Sequence, residues 1–291
     1  MAMVLIKLTL FTVMFALGLG LQGHALQQLR QRPALFVRTL IGSCLLVPLV
    51  ALVVLKIPIT MGLSEPVRFG IGLMALCPSA PLTLRKAGKS GGNRELAALL
   101  QVLAVLAAII SIPLLADLFR VVYGIEGWDL RHFDVALQVA IAQVLPLLLG
   151  LGVRRWRPQL AGRLLGPLDR LANLLLLLLI VVILIKAAPA LAPFAATNLP
   201  ALGLMAALVA ASLAIGWLLA GPDPAESTTV ALVTSMRNPG LALLFASLHA
   251  PGEPAVKLAI LCYLLVTVIV SIPFLRLQKR RAASLPAPVE P

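Results

Sequence analysis

Hydrophobic residues run through this chain in stretches of about 18 or more, separated by short loops of Gly, Pro, Asn and basic residues. A helix needs about 20 consecutive apolar residues to cross a bilayer, so the pattern predicts an all-α polytopic membrane protein. The apolar runs are uniform, as in 174–180, and lack the short alternating segments of a transmembrane barrel. Nine spans are predicted, at residues 4–22, 34–55, 65–88, 93–119, 133–153, 171–188, 200–220, 226–248 and 256–275.

Two of these spans, the third and the eighth, are interrupted near the middle by proline and polar residues. Proline removes a backbone donor and clashes with the preceding helical turn. In hydrocarbon, the freed backbone groups are tolerated only where protein or a polar cavity satisfies them. Paired interruptions in the two halves of a chain indicate a transporter's binding site. The predicted helix breaks include Cys77, Pro78, Pro81, Pro239 and Gly240.

Composition and charge narrow the possible class of protein further. The chain is 60% hydrophobic and 12% charged, whereas a soluble domain carries about 25% charged residues. The net charge of +13 does not indicate a nucleic-acid partner, because the basic residues occupy short loops and no separate soluble domain is present. The expected surroundings are a lipid bilayer, at the cell inner (plasma) membrane.

The basic loops also predict an orientation. Lys and Arg concentrate after spans one, three and five and after span nine, which assigns these loops to the cytoplasm. With nine spans, the N-terminus lies outside and the C-terminus inside. Spans three and eight then run in opposite directions, which agrees with inverted repeats whose broken helices cross near the midplane. We expect one transmembrane domain over residues 1–281 and a disordered cytoplasmic tail over 282–291, although residues 1–22 also resemble a signal peptide.

The interrupted strings resemble those of the bile acid:sodium symporter family, which carries a Cys-Pro-Gly-Gly-type and a Gln-Asn-x-Gly-Leu-Ala-type break. The matching strings here are 77–84 and 237–242, in order with 14–21 and 47–49. The resemblance, to the nine-span form, implies a panel domain that moves against a core domain. It places the core at spans roughly within 65–119 and 226–275, and the panel in the remaining spans. It also implies transport of organic anions by alternating access.

The sequence departs from the family where sodium is bound. Sodium needs several oxygen ligands, and at about 4 Å two like charges repel by roughly 4 kcal/mol even at an effective dielectric of 20. We therefore predict that the family's sodium sites are absent, with no other metal or cofactor. The replacements relative to the family pattern are Ser43, Leu84 beside the retained hydroxyl of Thr83, Ala97, Gln101, Val233 in place of Glu, and Arg237 in place of Gln.

Arg237 is the basic residue predicted deepest in a span, where a charge usually faces a cavity or a partner. Two readings are open: it binds an anionic substrate, or it stands in for sodium by bonding exposed carbonyls. Asn238 is expected to cap the break. The other candidates for lining a substrate site also have a structural alternative, a hydrogen bond to their own helix or a neighbouring one. The predicted substrate-binding residues are Arg237, Asn238, Ser79, Thr83, Gln101, Thr234 and Ser235.

These features favour a secondary transporter of an organic anion, bile-acid-like or a small carboxylate, that does not use the usual sodium sites. The alternative is a passive channel or ligand-binding membrane protein that kept the fold and lost cation coupling. An enzyme is not expected, because no carboxylate cluster, HExxH, GxSxG or phosphate loop occurs. The sequence leaves the substrate and the oligomeric state open.

Overall fold

The computed structural model describes residues 2–21, 24–123 and 132–283, and within these ranges the regular structure is helical. The predicted tail at 282–291 falls outside the described residues from position 284 onwards. The α-helices are α1 (Ala2–Gly20), α2 (His24–Gln31), α3 (Pro33–Ile41), α4 (Val47–Val54), α5 (Pro58–Met61), α6 (Glu65–Leu76), α7 (Leu82–Lys89), α8 (Arg94–Tyr123), α9 (His132–Val139), α10 (Leu145–Trp156), α11 (Pro158–Thr197), α12 (Leu199–Leu219), α13 (Pro224–Ser235), α14 (Pro239–His249) and α15 (Pro254–Ala283). Short π-helical segments, Gly42–Leu46 and Ala140–Val144, join α3 to α4 and α9 to α10.

Seven helical segments of the described chain are long and apolar enough to cross a membrane. They correspond to seven of the nine predicted spans. Each of the other two predicted spans, 65–88 and 226–248, consists of two shorter helices: α6 with α7, and α13 with α14. The sequence-predicted interruptions are therefore real ends of helices.

The largest difference from the predicted boundaries is in α11, which runs for 40 residues and includes most of the basic stretch expected to be a loop. Pro158 starts this helix within its first turn, where its missing N–H costs nothing. The Leu and Arg residues that follow are good helix formers. Loop composition alone therefore placed the start of this helix too late.

The helices pack in two groups. In the first group, α1 packs against α10 and α11. In the second group, α12 packs against α13 and α15, and α6 packs against α15, α14 and α4. The segment Pro33–Val54 and helix α12, expected in the panel by resemblance, therefore pack with the helices of the expected core. The buried apolar side chains of the second group include Ile71, Met205, Leu241, Phe245 and Ile260.

The first group is held at close range by two glycines. A Cβ atom on Gly18 would lie 2.3 Å from the carbonyl oxygen of Leu147, and one on Gly150 would lie 2.3 Å from that of Phe15. Small residues let helix backbones approach in membranes, where dispersion contacts and not the hydrophobic effect hold helices together. α1 and α10 thus require glycine at both positions.

We expect Gly150→Ala to destabilise the protein by about 2 kcal/mol or more, because the added methyl group forces two backbones apart. Gly203→Ala is the matched control, since Gly203 is exposed on α12 with no atom within 4 Å of an added Cβ. Thermal unfolding in detergent measures both variants. Equal melting temperatures for the two would contradict the close approach of α1 and α10.

Candidate functional site

The two breaks lie against each other and are joined through their backbones. The N–H of Ala80 donates to the carbonyl of Met236 at 2.8 Å, and the N–H of Asn238 donates to the carbonyl of Cys77 at 3.1 Å. These two bonds satisfy four backbone groups that the ends of α6 and α13 would otherwise leave unpaired. We call residues 77–80 and 236–238 together the junction.

Ser79 adopts a conformation that favours glycine. Its φ is +43°, the one positive value for a non-glycine residue in the described chain. The left-handed region costs an L-residue about 1–2 kcal/mol. The Ser79 side chain is fully buried, and its hydroxyl has no partner among the described residues. The first break therefore holds backbone strain next to an unsatisfied polar group.

Asn238 is the N-cap of α14, as the sequence predicted. Its Oδ1 accepts a hydrogen bond from the N–H of Leu241 at 3.1 Å, and Pro239 begins the helix. A helix N-terminus leaves N–H groups unpaired, and Asn is among the residues that best satisfy one of them. The Nδ2 of Asn238 is buried without a partner in the described structure, so both N–H donors of this amide are left over.

Arg237 is the largest buried side chain at the junction, with 2% of its surface exposed. Nη1 donates to the hydroxyl of Ser43 at 3.1 Å and to the carbonyl of Thr234 at 3.3 Å. Nη2 donates to the carbonyl of Ser43 at 2.9 Å and to the carbonyl of Ala75. A single guanidinium thus connects α6, α13 and the π-helical segment Gly42–Leu46.

The carbonyl of Ser43 is free because of a proline. In an α-helix it would accept from Val47, but that N–H bonds to Gly42 across the π-turn. The next residue, Pro48, has no N–H to give. The carbonyl is left without a helical donor, and Arg237 supplies one.

The other two carbonyls are free because helices end there. Four residues after Thr234 lies Asn238, whose N–H bonds instead to Cys77. Four residues after Ala75 lies Ser79, which is outside α6 and has left-handed φ. Buried carbonyls without donors are costly, more so in an apolar medium. Arg237 therefore binds at the places where the backbone most needs a donor.

Arg237 forms no ion pair with a carboxylate in the described part of the chain. Its charge is instead balanced by carbonyl dipoles and one hydroxyl. The sequence left two roles open for Arg237: binding an anionic substrate, or taking the place of sodium by bonding exposed carbonyls. The contacts seen here agree with the second role. A charge-assisted bond to each carbonyl is stronger than a neutral one.

Several further polar atoms near the junction are buried and have no partner among the described residues. Water or a ligand is the usual partner of such groups. These atoms include the hydroxyls of Ser79, Thr83, Thr234 and Tyr263, both amide atoms of Gln101, Nδ2 of Asn238 and Nε of Arg237.

Two cavities adjoin the junction. A small one of about 40 Å³ is lined mainly by apolar groups and by Arg237, Asn238, Pro239 and Gly240. It has room for about one water molecule. A larger one of about 480 Å³ lies between α1 and α11 on one side and α7 and α8 on the other. Pro81 lines both cavities, so they meet at the first break.

The larger cavity has apolar walls and polar groups at its two ends. Val13, Leu17, Leu84, Leu165 and Leu176 form much of its walls. The polar residues lining it are Gln101 and Asn173, together with the charged residues Arg85, Arg94, Glu95 and Asp169.

The predicted site residues separate into three sets in the structure. Gln101 lines the larger cavity, and Arg237 and Asn238 line the smaller one. The remaining four are buried near the junction and line neither of these cavities, and Ser235 donates to its own helix at Leu232. These four are Ser79, Thr83, Thr234 and Ser235.

Several residues that the structure brings to the site were not predicted to bind there, among them Ser43, which the sequence marks only as a departure from the family's sodium pattern. Ser43 lies five residues before Pro48, and a small polar residue there is the signal for a freed carbonyl. Arg94 belongs to a basic stretch that the sequence predicts as a loop, and Asp169 gave no sequence signal; their pairing depends on the contact between distant helices. Tyr263 gave no sequence signal.

Broken helices that meet in pairs define a class of membrane protein, the secondary transporters whose sites lie at discontinuous helices. The sequence matches the Sodium Bile acid symporter family over residues 7–194, which is more than half of the chain. The protein belongs to this family of multi-pass membrane transporters. None of the curated proteins matches the sequence.

We expect Ser79→Gly to stabilise the protein by about 1 kcal/mol, because glycine takes a positive φ without strain. The change also removes a buried hydroxyl that has no partner among the described residues. Ser235→Gly is the matched control, because Ser235 is helical and glycine there lowers stability. Thermal unfolding of the two variants measures the difference; a loss of stability in Ser79→Gly would show that the hydroxyl is needed.

Proposed function

We propose that the protein is a secondary transporter of organic anions, bile-acid-like or small carboxylates, that works by alternating access without the family's sodium sites. The observation that carries this proposal is the position of Arg237. Its guanidinium donates to the carbonyls of three chain segments at the junction. A fixed cation occupies the oxygens that a bound cation would need.

The residues that flank the junction in the sequence also fit sodium poorly. Val233 is apolar at the position where the family pattern has a carboxylate, and Leu84 offers no oxygen. The unpartnered hydroxyls of Thr83 and Thr234 are oxygen ligands, but a cation among them would lie close to a guanidinium with no carboxylate to offset the repulsion. We therefore expect no coupling to sodium through this site.

The larger cavity is the proposed substrate site. It lies where α1 and α11, of the first group, face α7 and α8, which both contact α13 of the second group. Apolar side chains beside polar groups that can orient a ligand are typical of sites for small organic molecules, although this cavity carries more polar residues than most. On the orientation predicted from the basic loops, its charged mouth faces the cytoplasm, and we take this arrangement as the inward-facing state.

Cholate binding to detergent-purified protein in sodium and in potassium buffer tests the proposal. We expect the same affinity in both salts, since no sodium ion takes part. Ligand at about 100 times its dissociation constant stabilises a folded protein by roughly 2.7 kcal/mol, which a thermal shift detects. Binding that requires sodium would contradict the proposal. Cholate flux into proteoliposomes that does not saturate with cholate concentration would favour the alternative, a passive channel.

We expect Arg237→Gln to lower the free energy of unfolding by more than about 3 kcal/mol, because several buried acceptors lose their donor at once. Arg276→Gln, at an exposed position on α15, is the matched control. The loss should be partly reversed by sodium but not potassium in the double variant Arg237→Gln/Val233→Glu, which restores two family residues. An unchanged melting temperature in Arg237→Gln would contradict the structural role.

A further inference from the structure

An ion pair spans the mouth of the larger cavity. Nη2 of Arg94, at the start of α8, lies 3.1 Å from Oδ2 of Asp169, on α11. Both residues line the cavity, and their side chains are 58% and 43% exposed. Helix α8 contacts α13 and α6 of the second group as well as α9, whereas α11 packs with α1 in the first group, so this pair links α11 to a helix that contacts the second group.

The charged residues at the mouth do not by themselves form an anion-binding site, because their charges balance. Two arginines, Arg85 and Arg94, share the lining with two carboxylates, Glu95 and Asp169. Equal numbers of opposite charges give little net attraction for an anion approaching from solution. The carboxylate of Asp169 neutralises the charge of Arg94, so an anionic ligand gains the full attraction of this guanidinium when it takes the place of Asp169.

The face of α8 that carries Arg94 also carries Gln101, the polar residue at the inner end of the cavity. Arg94, Ala98 and Gln101 all line it and follow the i, i+4, i+7 spacing of a helical stripe. Seven residues of helix span about 10 Å. Gln101 is fully buried, and both atoms of its amide have no partner among the described residues. The cavity thus offers a cation at its mouth and a free amide about 10 Å deeper, with apolar walls between them.

We propose that Arg94 is exchanged between Asp169 and the anionic group of the ligand, so that the Arg94–Asp169 pair is a latch that an amphipathic organic anion opens. The ligand's polar group at its other end bonds to Gln101. Binding then frees α11 from α8, which couples occupancy to the relative movement of the two helix groups. This inference rests on the proposed function for its ligand.

A double-mutant cycle with cholate as the probe tests the exchange. Asp169→Asn removes the competitor, and we expect it to tighten cholate binding about two- to fivefold at low salt, the range for an exposed ion pair. Arg94→Gln should weaken binding about tenfold or more, through loss of a charge-assisted bond. In the Arg94→Gln background, Asp169→Asn should change the affinity by less than about twofold, because the two residues act as one unit. Glu253→Gln, at an exposed acidic position away from the cavity, is the matched control and should change nothing.

A second readout needs no ligand. Ala98→Cys places a thiol on the cavity wall, whereas Cys44, Cys77 and Cys262 are buried and give a low background. A charged maleimide should label the introduced thiol faster when Asp169→Asn is added, and faster in the Ala98→Cys protein at high salt, which screens the exposed pair.

The outcomes separate the latch from the proposed function. Faster labelling without cholate binding to any variant would support the latch and count against a bile-acid-like ligand. Unchanged labelling and unchanged affinity in Asp169→Asn would overturn the latch. Tightening by Asp169→Asn that is as large in the Arg94→Gln background would also overturn it, since the effect would then be a general change of charge.

Discussion

The guanidinium of Arg237 holds three chain segments together by bonding carbonyls that their helices cannot satisfy. Each carbonyl is free for a local reason: a π-turn followed by Pro48, the end of α6, and the end of α13. Two reciprocal backbone bonds between the breaks complete the arrangement. In an apolar medium these unmet acceptors would each cost free energy, so the meeting of the broken helices depends on this one side chain.

A cation attached to the chain differs from a bound ion in one respect that matters for transport. A sodium ion enters and leaves with each cycle and can deliver the energy of its gradient, whereas Arg237 stays. On the proposed function, the charge at the junction is the same in both access states. Substrate movement then follows the gradient of the anion itself, and the junction acts as a rigid centre of the α6, α13 and α14 group.

The contacts of Arg237 and the Arg94–Asp169 pair have opposite physical characters. The hydrogen bonds of Arg237 are buried and numerous. A conformation that broke them would leave several carbonyl acceptors without a donor. The Arg94–Asp169 pair is exposed and is weakened by water and salt. Movement between the helix groups is therefore expected at the exposed pair, while the buried centre keeps its geometry.

The sequence alone determined the helical class, the membrane environment, the positions of the two breaks and the family, because apolar length and proline act locally along the chain. It also identified Arg237 and the cap at Asn238. It did not decide what Arg237 binds, because two of its three acceptor residues, Ser43 and Ala75, lie 194 and 162 positions away. Nor did it show the cavity or the Arg94–Asp169 pair, since both exist only where helices distant in sequence pack together.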